Sequence, residues 1–566
     1  MKKLIAALCV LAGLVFATTA SASWNFVGAN QVASTPMNGA GYPVPPGSRV
    51  PEAGTCQRGP FNANHSESWI AVKPGTEDLV GSAKYFFDKY STFYMFYLGA
   101  IQITGGTPTG NNQIQGYDCL STGTGGELNQ NMPPSWTDTT DPNLDFDTGD
   151  GGQAPVRVYQ TMLPFNSFFD NTKLHPDGEI DVSYSDDMGL HWVKGNGGKP
   201  LEPSNNASAK QLGHVEDKQW IAVNHILGNV NQDHVYAAWS VFNGNGGQIK
   251  VRLAVSRDRG LTFGKAVTIS PPNEVGPAVT YVYPEIDAAG YLYVSVVSFP
   301  PQGGTHTIYV ARSTDDGKTF TPFVAVTPAT IPPDEVYPNT RFRSGIVENF
   351  AASPTYPGHL YLTYEDWDGT QADVKFTQST DGGFTWSTPV VVNDNVDASG
   401  VPTDQFQPSV AAGPGGAVAI EFLDRRQACP NDPSVLAADV GRTNFCIDAS
   451  LQAYKDSGIN TGPGAGAVAV GGNLRVTQFT WDPEQPGQHL GGLSQYPCAG
   501  ARDPCPRGSG FIGDYFGLAI SANNIYGLFP STHYAAPGVT ADGGGPIYYQ
   551  QQILSTVPRS TIGFGY

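Results

Sequence analysis

Two apolar strand patterns recur in pairs along the chain, and each pair is joined by a turn rich in Gly, Pro and Asn. The first strand of a pair, as in KQWIAV, begins at Ser68, Asp141, Lys218, Tyr283, Glu348, Phe406 and Asp514. The second strand, as in VYAAWSVF, begins at Leu79, Val158, Val235, Leu292, Leu360, Val418 and Ile525. Seven pairs at a spacing of roughly 60 to 75 residues predict seven repeated β-units.

In four units a third strand runs into an octapeptide of the pattern S-x-D-x-G-x-x-[W/F], and a fourth strand follows it. These boxes are SDDMGLHW from Ser185, SRDRGLTF from Ser256, STDDGKTF from Ser313 and STDGGFTW from Ser379. Each glycine is expected to take a backbone angle that other residues adopt at a cost, and each aspartate to accept hydrogen bonds from turn amides. The aromatic residue is expected to fold back into the core. We therefore interpret the boxes as structural turns, formed by Ser185, Asp187, Gly189 and Trp192; Ser256, Asp258, Gly260 and Phe263; Ser313, Asp315, Gly317 and Phe320; and Ser379, Asp381, Gly383 and Trp386.

Units of four antiparallel strands at this period are typical of a β-propeller, in which each blade buries both faces against its neighbours. We predict an all-β chain with a single propeller of seven four-stranded blades, or six if the first unit is irregular. The content of 68 Gly and 45 Pro fits a chain with many turns. The propeller is assigned to residues 64–566, and the loop-rich segment 23–63 is expected to lend no more than a closing strand.

The first 22 residues have the features of a secretory signal peptide, with a charged start, an apolar run and an A-x-A exit ending at Ala22. The apolar run is shorter than the ~20 residues that a membrane span needs, and no later segment is apolar enough to cross a bilayer. We therefore expect a secreted or periplasmic protein. Loss of Lys2 and Lys3 takes the net charge from −19 to −21, and such an acidic surface disfavours nucleic acid and anionic membranes as partners.

Six cysteines remain after the signal is removed, and an even number in an exported chain predicts disulfides. They are Cys56, Cys119, Cys429, Cys446, Cys498 and Cys505. Among the possible pairings we favour the short closures 429 with 446 and 498 with 505, which leaves 56 with 119. The cysteine and histidine spacings match no zinc site, and no cofactor is expected to be required.

One acidic segment, TDTTDPNLDFDTGDGG, is a candidate calcium loop. It carries Asp138, Asp141, Asp145, Asp147 and Asp150 among glycines, and calcium prefers oxygen-rich flexible loops. The spacing does not match an EF-hand, so an acidic, solvated turn is the competing interpretation.

The boxes, the W-I-A-V strands and the late DYFGLA element together resemble the Asp-box, or BNR, repeat proteins, and in particular their bacterial sialidase-like members. The resemblance runs from about residue 64 to 555. The resemblance is strongly specific for the propeller fold and weakly specific for the activity, because it implies the same kind of propeller for sialidases, other glycosidases, lyases and binding proteins.

Blade topology divides the candidate residues between two faces. The boxes share a face with the turns between first and second strands, so a pocket over the central axis is expected on the opposite face. There the starts of first strands and the ends of second strands bring together carboxylates, guanidinium groups and aromatic rings, a mixture that suits a polar sugar. The candidates are His65, Glu67, Asp138, Asp141, Glu216, Asp217, Tyr283, Glu285, Arg341, Arg343, Glu348, Glu365, Asp366, Trp367, Asp404, Gln405, Asp424, Arg425, Arg426, Asp514, Tyr515 and His533.

The resemblance implies roles for some of these residues. Sialidases use three arginines on the substrate carboxylate, a tyrosine nucleophile paired with a glutamate, and an aspartate acid. Tyr515 matches the tyrosine, either Glu285 or Glu348 is its partner, and either Asp217 or Asp366 is the acid. Substrate-binding candidates are Arg341, Arg343, Arg425, Arg426 and Trp367.

The arginines of this chain depart from that pattern in two respects. Arg425 and Arg426 are adjacent, so strand alternation allows one of them to face the axis, and an ion-pair cluster with Asp424 is the alternative. The family's [F/Y]-R-I-P element has SRVP from Ser48 as its nearest counterpart, which makes Arg49 a poor first arginine.

These observations favour an exported, monomeric, sialidase-like glycoside hydrolase that acts on glycans in a central polar pocket. One alternative is a non-catalytic propeller that binds a glycan or a protein on the same face. Another is a polysaccharide lyase, which needs a Tyr/His pair, for which His65, His214 and His533 are candidates.

Overall fold

The computed structural model describes residues 24–34, 42–44, 55–57, 65–86, 96–113, 138–165, 179–203, 214–243, 248–300, 305–338, 340, 342–345, 348–394, 403–427, 446–483, 511–540, 546–548, 550–563 and 566. The predicted signal peptide, Arg341 and Cys119, Cys429, Cys498 and Cys505 lie outside these residues. No helix in the described part of the chain is long and apolar enough to cross a membrane.

Seven four-stranded antiparallel blades form a ring, which confirms the predicted β-propeller and its blade number. Before the first blade lie β1 (Ala29–Val32), β2 (Tyr42–Val44) and β3 (Thr55–Gln57). Blade 1 consists of β4 (His65–Val72), β5 (Leu79–Phe86), β6 (Phe96–Thr104) and β7 (Thr107–Gln113). Blade 2 consists of β8 (Asp138–Thr140), β9 (Asp145–Phe146), β10 (Val158–Phe165), β11 (Asp181–Ser185) and β12 (Val193–Lys194). Blade 3 consists of β13 (His214–Val223), β14 (Val235–Asn243), β15 (Gln248–Ser256) and β16 (Val267–Thr268).

The remaining blades follow the same order from the axis outward. Blade 4 consists of β17 (Val279–Ile286), β18 (Leu292–Ser298), β19 (His306–Ser313) and β20 (Val324–Ala329). Blade 5 consists of β21 (Asn349–Ala352), β22 (Leu360–Trp367), β23 (Ala372–Ser379) and β24 (Val390–Val391). Blade 6 consists of β25 (Gln405–Gly413), β26 (Ala417–Asp424), β27 (Asp448–Asp456) and β28 (Ala467–Arg475). Blade 7 contains β29 (Gly517–Ile520), β30 (Asn524–Ser531) and β33 (Gln551–Pro558), with β31 (Ala535–Thr540) and β32 (Pro546–Tyr548) as a separate hairpin.

Helical structure in the described residues is confined to single turns. These are α1 (Gly149–Gly152), α2 (Pro272–Val275) and the 3-10 turns Asn196–Gly198, Pro333–Glu335, Pro414–Gly416 and Arg559–Thr561. The propeller is therefore built almost entirely of strands and turns.

The two ends of the chain close the ring. β1 pairs antiparallel with β33 and supplies the outermost strand of blade 7. Just before β1, the Trp24 ring lies over the guanidinium groups of Arg426 and Arg475, at 4.7 and 5.3 Å from its centroid. Its indole N–H donates to the Ser450 hydroxyl at 2.8 Å. The N-terminal segment thus straps blade 6 to blade 7.

A tyrosine near the start of the second strand recurs in five blades, and its buried hydroxyl always finds a carboxylate. This satisfies the polar tip of a ring whose body packs between strands. The hydroxyls donate as follows: Tyr159 to Asp147 at 2.7 Å, Tyr236 to Asp316 at 2.8 Å, Tyr293 to Asp287 at 3.2 Å, Tyr361 to Asp456 at 2.6 Å and Tyr526 to Glu77 at 2.7 Å.

Each of the four boxes forms the same hydrogen-bonded turn after a third strand. In STDGGFTW, the Ser379 hydroxyl donates to Asp381 at 2.8 Å, and the amides of Gly383 and Thr385 donate to Ser379 and Asp381, both at 2.9 Å. The serine–aspartate and glycine–serine bonds recur at 2.8 to 2.9 Å in the boxes at Ser185, Ser256 and Ser313. The box glycines have φ between +75° and +84°, a region that favours glycine. The aspartates are therefore committed to turn geometry.

One cysteine side chain lies within the described residues. Cys446 is buried just before β27 and is disulfide-bonded. The side chains of the other five cysteines, including Cys56 in β3, lie outside the described residues, so the favoured pairing stays a prediction.

Candidate functional site

Five inner strands depart from regular geometry at equivalent positions, on the face opposite the boxes. Glu67, Asp141, Lys218, Tyr281 and Gln407 all have positive φ, between +46° and +61°. Four of them fall where the register with the second strand shifts, and Asp141 lies between β8 and β9. A bulge of this kind re-aims a side chain at the end of a strand.

Three of these side chains join a network of ion pairs. The Lys218 ammonium lies 3.0 Å from Asp514 and 3.7 Å from Asp141, and the Lys84 ammonium lies 2.6 Å from Glu67 and 3.8 Å from Asp141. Arg343 donates two parallel hydrogen bonds to Asp514, from Nε at 2.8 Å and from a terminal nitrogen at 2.6 Å. We call Glu67, Lys84, Asp141, Lys218, Arg343 and Asp514 the axial charge cluster.

A cavity of about 310 Å³ opens beside this cluster, and we call it the opposite-face cavity. Besides Asp514 of the axial charge cluster, two carboxylates line it, Asp217 from β13 and Glu335 from the connection between blades 4 and 5. Its other walls are formed by Lys218, Phe242, Ile249, Thr280, Tyr281, Phe299, Arg343, Ser344, Gly345 and Asp514. Aromatic faces, two carboxylates and paired cations therefore meet in one open space.

Asp217 lies close enough to Asp141 for each carboxyl group to shift the pKa of the other. Burial would raise the pKa of Asp141, but Lys218 and Lys84 outweigh it and lower that pKa to about 2. Burial raises the pKa of Asp217 to about 6 against the attraction of Lys218, with the Asp141 charge adding to the rise. Of the two carboxyl groups, Asp217, next to the cavity, therefore keeps its proton to the higher pH.

An aromatic plug, formed by Trp69, Trp220, Tyr283 and Tyr515, fills the axis beneath the cluster. Trp220 packs edge-on against Trp69, Tyr283 and Tyr515 with centroid separations of 4.5, 4.6 and 5.1 Å. The Tyr515 hydroxyl donates to the backbone carbonyl of Pro142 at 3.0 Å, and burial raises the pKa of Tyr515 well above its ordinary value. Tyr515 therefore packs inside the axis and does not line the opposite-face cavity.

Beyond the plug, a second cavity of about 320 Å³ opens toward the face that carries the boxes. Inner strands of all seven blades line it, mostly with small or apolar side chains such as Ala351, Ala411 and Leu518. Glu285, one of the predicted partners of Tyr515, lines this second cavity, and burial raises its pKa well above the ordinary range.

The structure brings three of the sequence candidates, Asp217, Arg343 and Asp514, to the opposite-face cavity. Glu348 is buried beside Ser295, and burial raises its pKa well above the usual value. Asp366 binds the Lys375 ammonium at 2.5 Å, and the Trp367 ring lies 6.2 Å from Tyr337. These last three positions do not line the opposite-face cavity.

Arg425 and Arg426 are both buried, although alternation along a strand predicts that they point in opposite directions. β26 ends at Asp424, so alternation no longer applies to the two residues after it. Arg425 donates to Asp404 at 2.7 Å, and Arg426 donates to Asp424 at 2.7 Å. Neither arginine lines the opposite-face cavity.

Four residues of the site were not among the sequence candidates: Lys84, Lys218, Tyr281 and Glu335. Lys218 and Tyr281 lie within inner strands, at bulge positions equivalent to that of Glu67. An alignment of the first strands on their apolar residues places Glu67, Lys218 and Tyr281 two positions before Trp69, Trp220 and Tyr283, which is the signal that points to both. The sequence carries no comparable signal for Lys84 or Glu335.

The aspartates of the candidate calcium loop do not converge. Asp141 belongs to the axial charge cluster, Asp145 accepts the Val223 amide at 2.7 Å, and Asp147 accepts the Tyr159 hydroxyl. Among the described residues there is no group of three His, Cys, Asp or Glu placed to hold a metal ion. The described side chains of this loop therefore do not fit a calcium site.

Two of the histidine candidates for a lyase, His65 and His533, do not line the opposite-face cavity. His65 is buried against Tyr85, and burial lowers its pKa to about 3. His533 stacks on Phe479 with a centroid separation of 4.2 Å. The side chain of His214 lies outside the described residues.

No protein-family model and no curated protein sequence matches this chain. Among solved structures, a sialidase from Trypanosoma rangeli is similar over 93% of this chain and 59% of its own length, at 11% identity and a TM-score of 0.38. A sialidase from Streptococcus pneumoniae is similar over 89% of this chain and 70% of its own, at 12% identity and a TM-score of 0.35. An α-L-arabinofuranosidase from Fusarium graminearum is similar over 71% of this chain and 90% of its own, at 12% identity and a TM-score of 0.34. The chain thus spans about three fifths of the length of the Trypanosoma rangeli protein.

Proposed function

We propose that this protein is an exported glycoside hydrolase that cleaves a terminal sugar in the opposite-face cavity. The observation that carries the proposal is that two carboxylates from different parts of the ring, Asp217 and Glu335, line one open cavity with aromatic walls. Cleavage of a glycosidic bond needs this pair, one group to protonate the leaving oxygen and one to act as base or nucleophile.

Asp217 is the acid of the proposed reaction. Its proton is retained up to about pH 6 because burial raises the pKa of Asp217, and the neighbouring Asp141, which Lys218 and Lys84 keep ionised, adds to that rise. After Asp217 gives its proton to the leaving oxygen, Lys218 stabilises the new carboxylate, since the Lys218 amide already donates to Asp217 at 2.7 Å and its ammonium is close to the same group.

Glu335 is the base or nucleophile. Its side chain is exposed and reaches the cavity from the segment before Arg343. The Tyr281 and Phe299 rings stack with a centroid separation of 5.9 Å, and they offer an apolar face to the sugar between the two carboxylates. The anomeric form of the first product, followed by NMR, separates the two roles of Glu335, because a nucleophile gives retention and a base gives inversion.

The experiment is to assay wild-type protein and Asp217→Asn on aryl glycosides and on oligosaccharides. Removal of a general acid should lower kcat/KM by ~100-fold or more on oligosaccharides, whose leaving groups need the proton. The loss should be much smaller on 4-nitrophenyl glycosides, since their leaving group departs without protonation. Wild-type activity should fall as the pH rises above about 6, because Asp217 then loses its proton.

Asp186→Asn is the matched control, because Asp186 is an exposed carboxylate that pairs with Arg157 on the box face. It should keep wild-type kinetics. An Asp217→Asn enzyme with unchanged kcat/KM on oligosaccharides would refute the proposed role of Asp217. A wild-type protein that binds glycans and cleaves none of them would favour the non-catalytic binding propeller.

A further inference from the structure

We infer that the opposite-face cavity takes a neutral sugar rather than a carboxylated one such as sialic acid or a uronic acid. This inference rests on the proposed function and narrows its substrate class. It follows from the ion pairing of the axial charge cluster, in which each described cation is already held by carboxylates of the protein itself.

Arg343 is the described arginine that a substrate carboxylate would reach in this cavity. Two nitrogens of its guanidinium group, Nε and one terminal nitrogen, already donate hydrogen bonds to Asp514, at 2.8 and 2.6 Å. A substrate carboxylate prefers the same two-pronged geometry, so it would have to displace Asp514. The Arg343 side chain is 35% exposed, but Asp514 is only 11% exposed, and leaving a largely buried carboxylate without its partner is unfavourable.

Lys218 offers no better anchor for an anion. Its ammonium is 14% exposed and lies between Asp514 and Asp141. Lys84 is more deeply buried, at 3% exposure, and is held by Glu67 at 2.6 Å. Both ammonium groups are therefore compensated before any ligand arrives.

The balance of charge points the same way. The described residues of the cluster and the cavity wall include three cations, Lys84, Lys218 and Arg343, and five carboxyl groups. These carboxyl groups are Glu67, Asp141, Asp217, Glu335 and Asp514. With the proton of the proposed acid on Asp217, the other four carboxyl groups are still enough to compensate the three cations, so no positive charge is left over for an anionic sugar. Sugar hydroxyls, in contrast, can donate to Glu335 or Asp514 and accept from the Ser344 hydroxyl.

The test compares neutral and anionic ligands in two independent assays. Hydrolysis is measured on 4-nitrophenyl glycosides of neutral hexoses and pentoses, on 4-nitrophenyl β-D-glucuronide and on 4-methylumbelliferyl N-acetylneuraminide. Binding of the corresponding free sugars is measured by isothermal titration calorimetry. We expect at least one neutral glycoside to be cleaved with a kcat/KM ~100-fold above both anionic ones, a difference of about 2.7 kcal/mol, and only neutral sugars to bind.

The possible results distinguish failure of the neutral-sugar inference from failure of the hydrolase proposal. Preferred cleavage or binding of N-acetylneuraminic acid or glucuronic acid overturns the neutral-sugar inference and leaves the hydrolase proposal standing. Binding of neutral sugars without any cleavage overturns the hydrolase proposal and supports the neutral specificity of the cavity. The absence of both binding and cleavage for every neutral sugar overturns both.

Asp514→Asn provides the structural arm of the test. Release of the Arg343 fork should raise the affinity for N-acetylneuraminic acid by about tenfold or more, and the double variant Asp514→Asn/Arg343→Gln should lose that gain. If thermal melting shows that Asp514→Asn does not fold, the inference is tested by comparing the N-acetylneuraminic acid affinity of Arg343→Gln with that of wild type. Weak sialic acid binding that Arg343→Gln leaves unchanged supports the inference, whereas strong binding that it abolishes overturns the inference.

Discussion

Glu421 should make the protein measurably less stable as the pH rises. It lies in the middle of β26 and is completely buried. Its carboxyl packs against Gly527 of blade 7, where an added Cβ would lie 2.3 Å from one carboxyl oxygen. Burial raises the pKa of Glu421 from 4.5 to about 8, and a hydrogen bond from Ser555 opposes this only in part. The folded protein therefore holds a proton there that the unfolded chain has lost.

The pH dependence of the unfolding free energy follows from the difference in proton binding between the folded and unfolded states. Because the folded-state pKa is the higher one, the stabilisation is complete below about pH 4.5 and disappears as the pH rises through about 8. From pH 6 up to its folded-state pKa of about 8, the folded protein holds a proton that the unfolded chain has lost. This residue should therefore cost ~2.7 kcal/mol of unfolding free energy between pH 6 and pH 9. Glu421→Gln keeps the shape, removes the proton and should remove this share of the pH dependence.

The assay is urea unfolding followed by tryptophan fluorescence at pH 6 and pH 9, on wild type and on Glu421→Gln. Glu77→Gln is the control, because hydrogen bonds to Glu77 lower its pKa despite partial burial, so its charge does not change in this interval. Wild type should lose ~2.7 kcal/mol more than Glu421→Gln between the two pH values. An equal loss in both proteins would refute the reasoning.

Three further substitutions test the axis, a box and the N-terminal strap. Tyr515→Phe leaves the Pro142 carbonyl without its donor and should lower the unfolding free energy by ~1 to 2 kcal/mol. It should change kcat/KM by less than about tenfold. A loss of activity without a loss of stability would instead indicate that Tyr515 is the nucleophile that the sequence resemblance implies. Asp381→Ala removes the hydrogen-bond acceptor of a box turn and should lower the urea midpoint by an amount equivalent to ~1 kcal/mol. An effect on KM without a change in stability would contradict a structural role for Asp381. Trp24→Ala removes the stack on Arg426 and should cost ~2 kcal/mol of unfolding free energy, measured in the same urea assay. Leu227→Ala, at an exposed apolar side chain, is the control, and equal urea midpoints for the two variants would contradict the role of the N-terminal strap.

The fold was predictable from the sequence because its signals are periodic and local. Strand pairs such as KQWIAV and VYAAWSVF repeat seven times, and the boxes mark where third strands end. Each repeat therefore carried independent information about the same architecture, and an error in one unit would not have changed the blade count by more than one.

The candidate site was less predictable because it depends on local exceptions to strand geometry. Lys218 and Tyr281 are non-glycine residues with positive φ, which nothing in their sequence context announces. Arg425 and Arg426 lie one step beyond the end of β26, where the rule of alternating directions fails. Tyr515 matches a family pattern, yet its neighbours Trp69 and Trp220, distant in sequence, place it inside the axial packing.

The pairing of β1 with β33 has a consequence for the order of folding. It joins residues more than five hundred positions apart, such as Ala29 and Thr556, so blade 7 cannot be completed until the last strand has been made. Pairings over long sequence separations form slowly, because the entropy of closing a large loop must be overcome first. The ring should therefore close last, and until it does β1 and β33 remain open strand edges that can pair with another chain. A folding helper that covers either edge would act at this step.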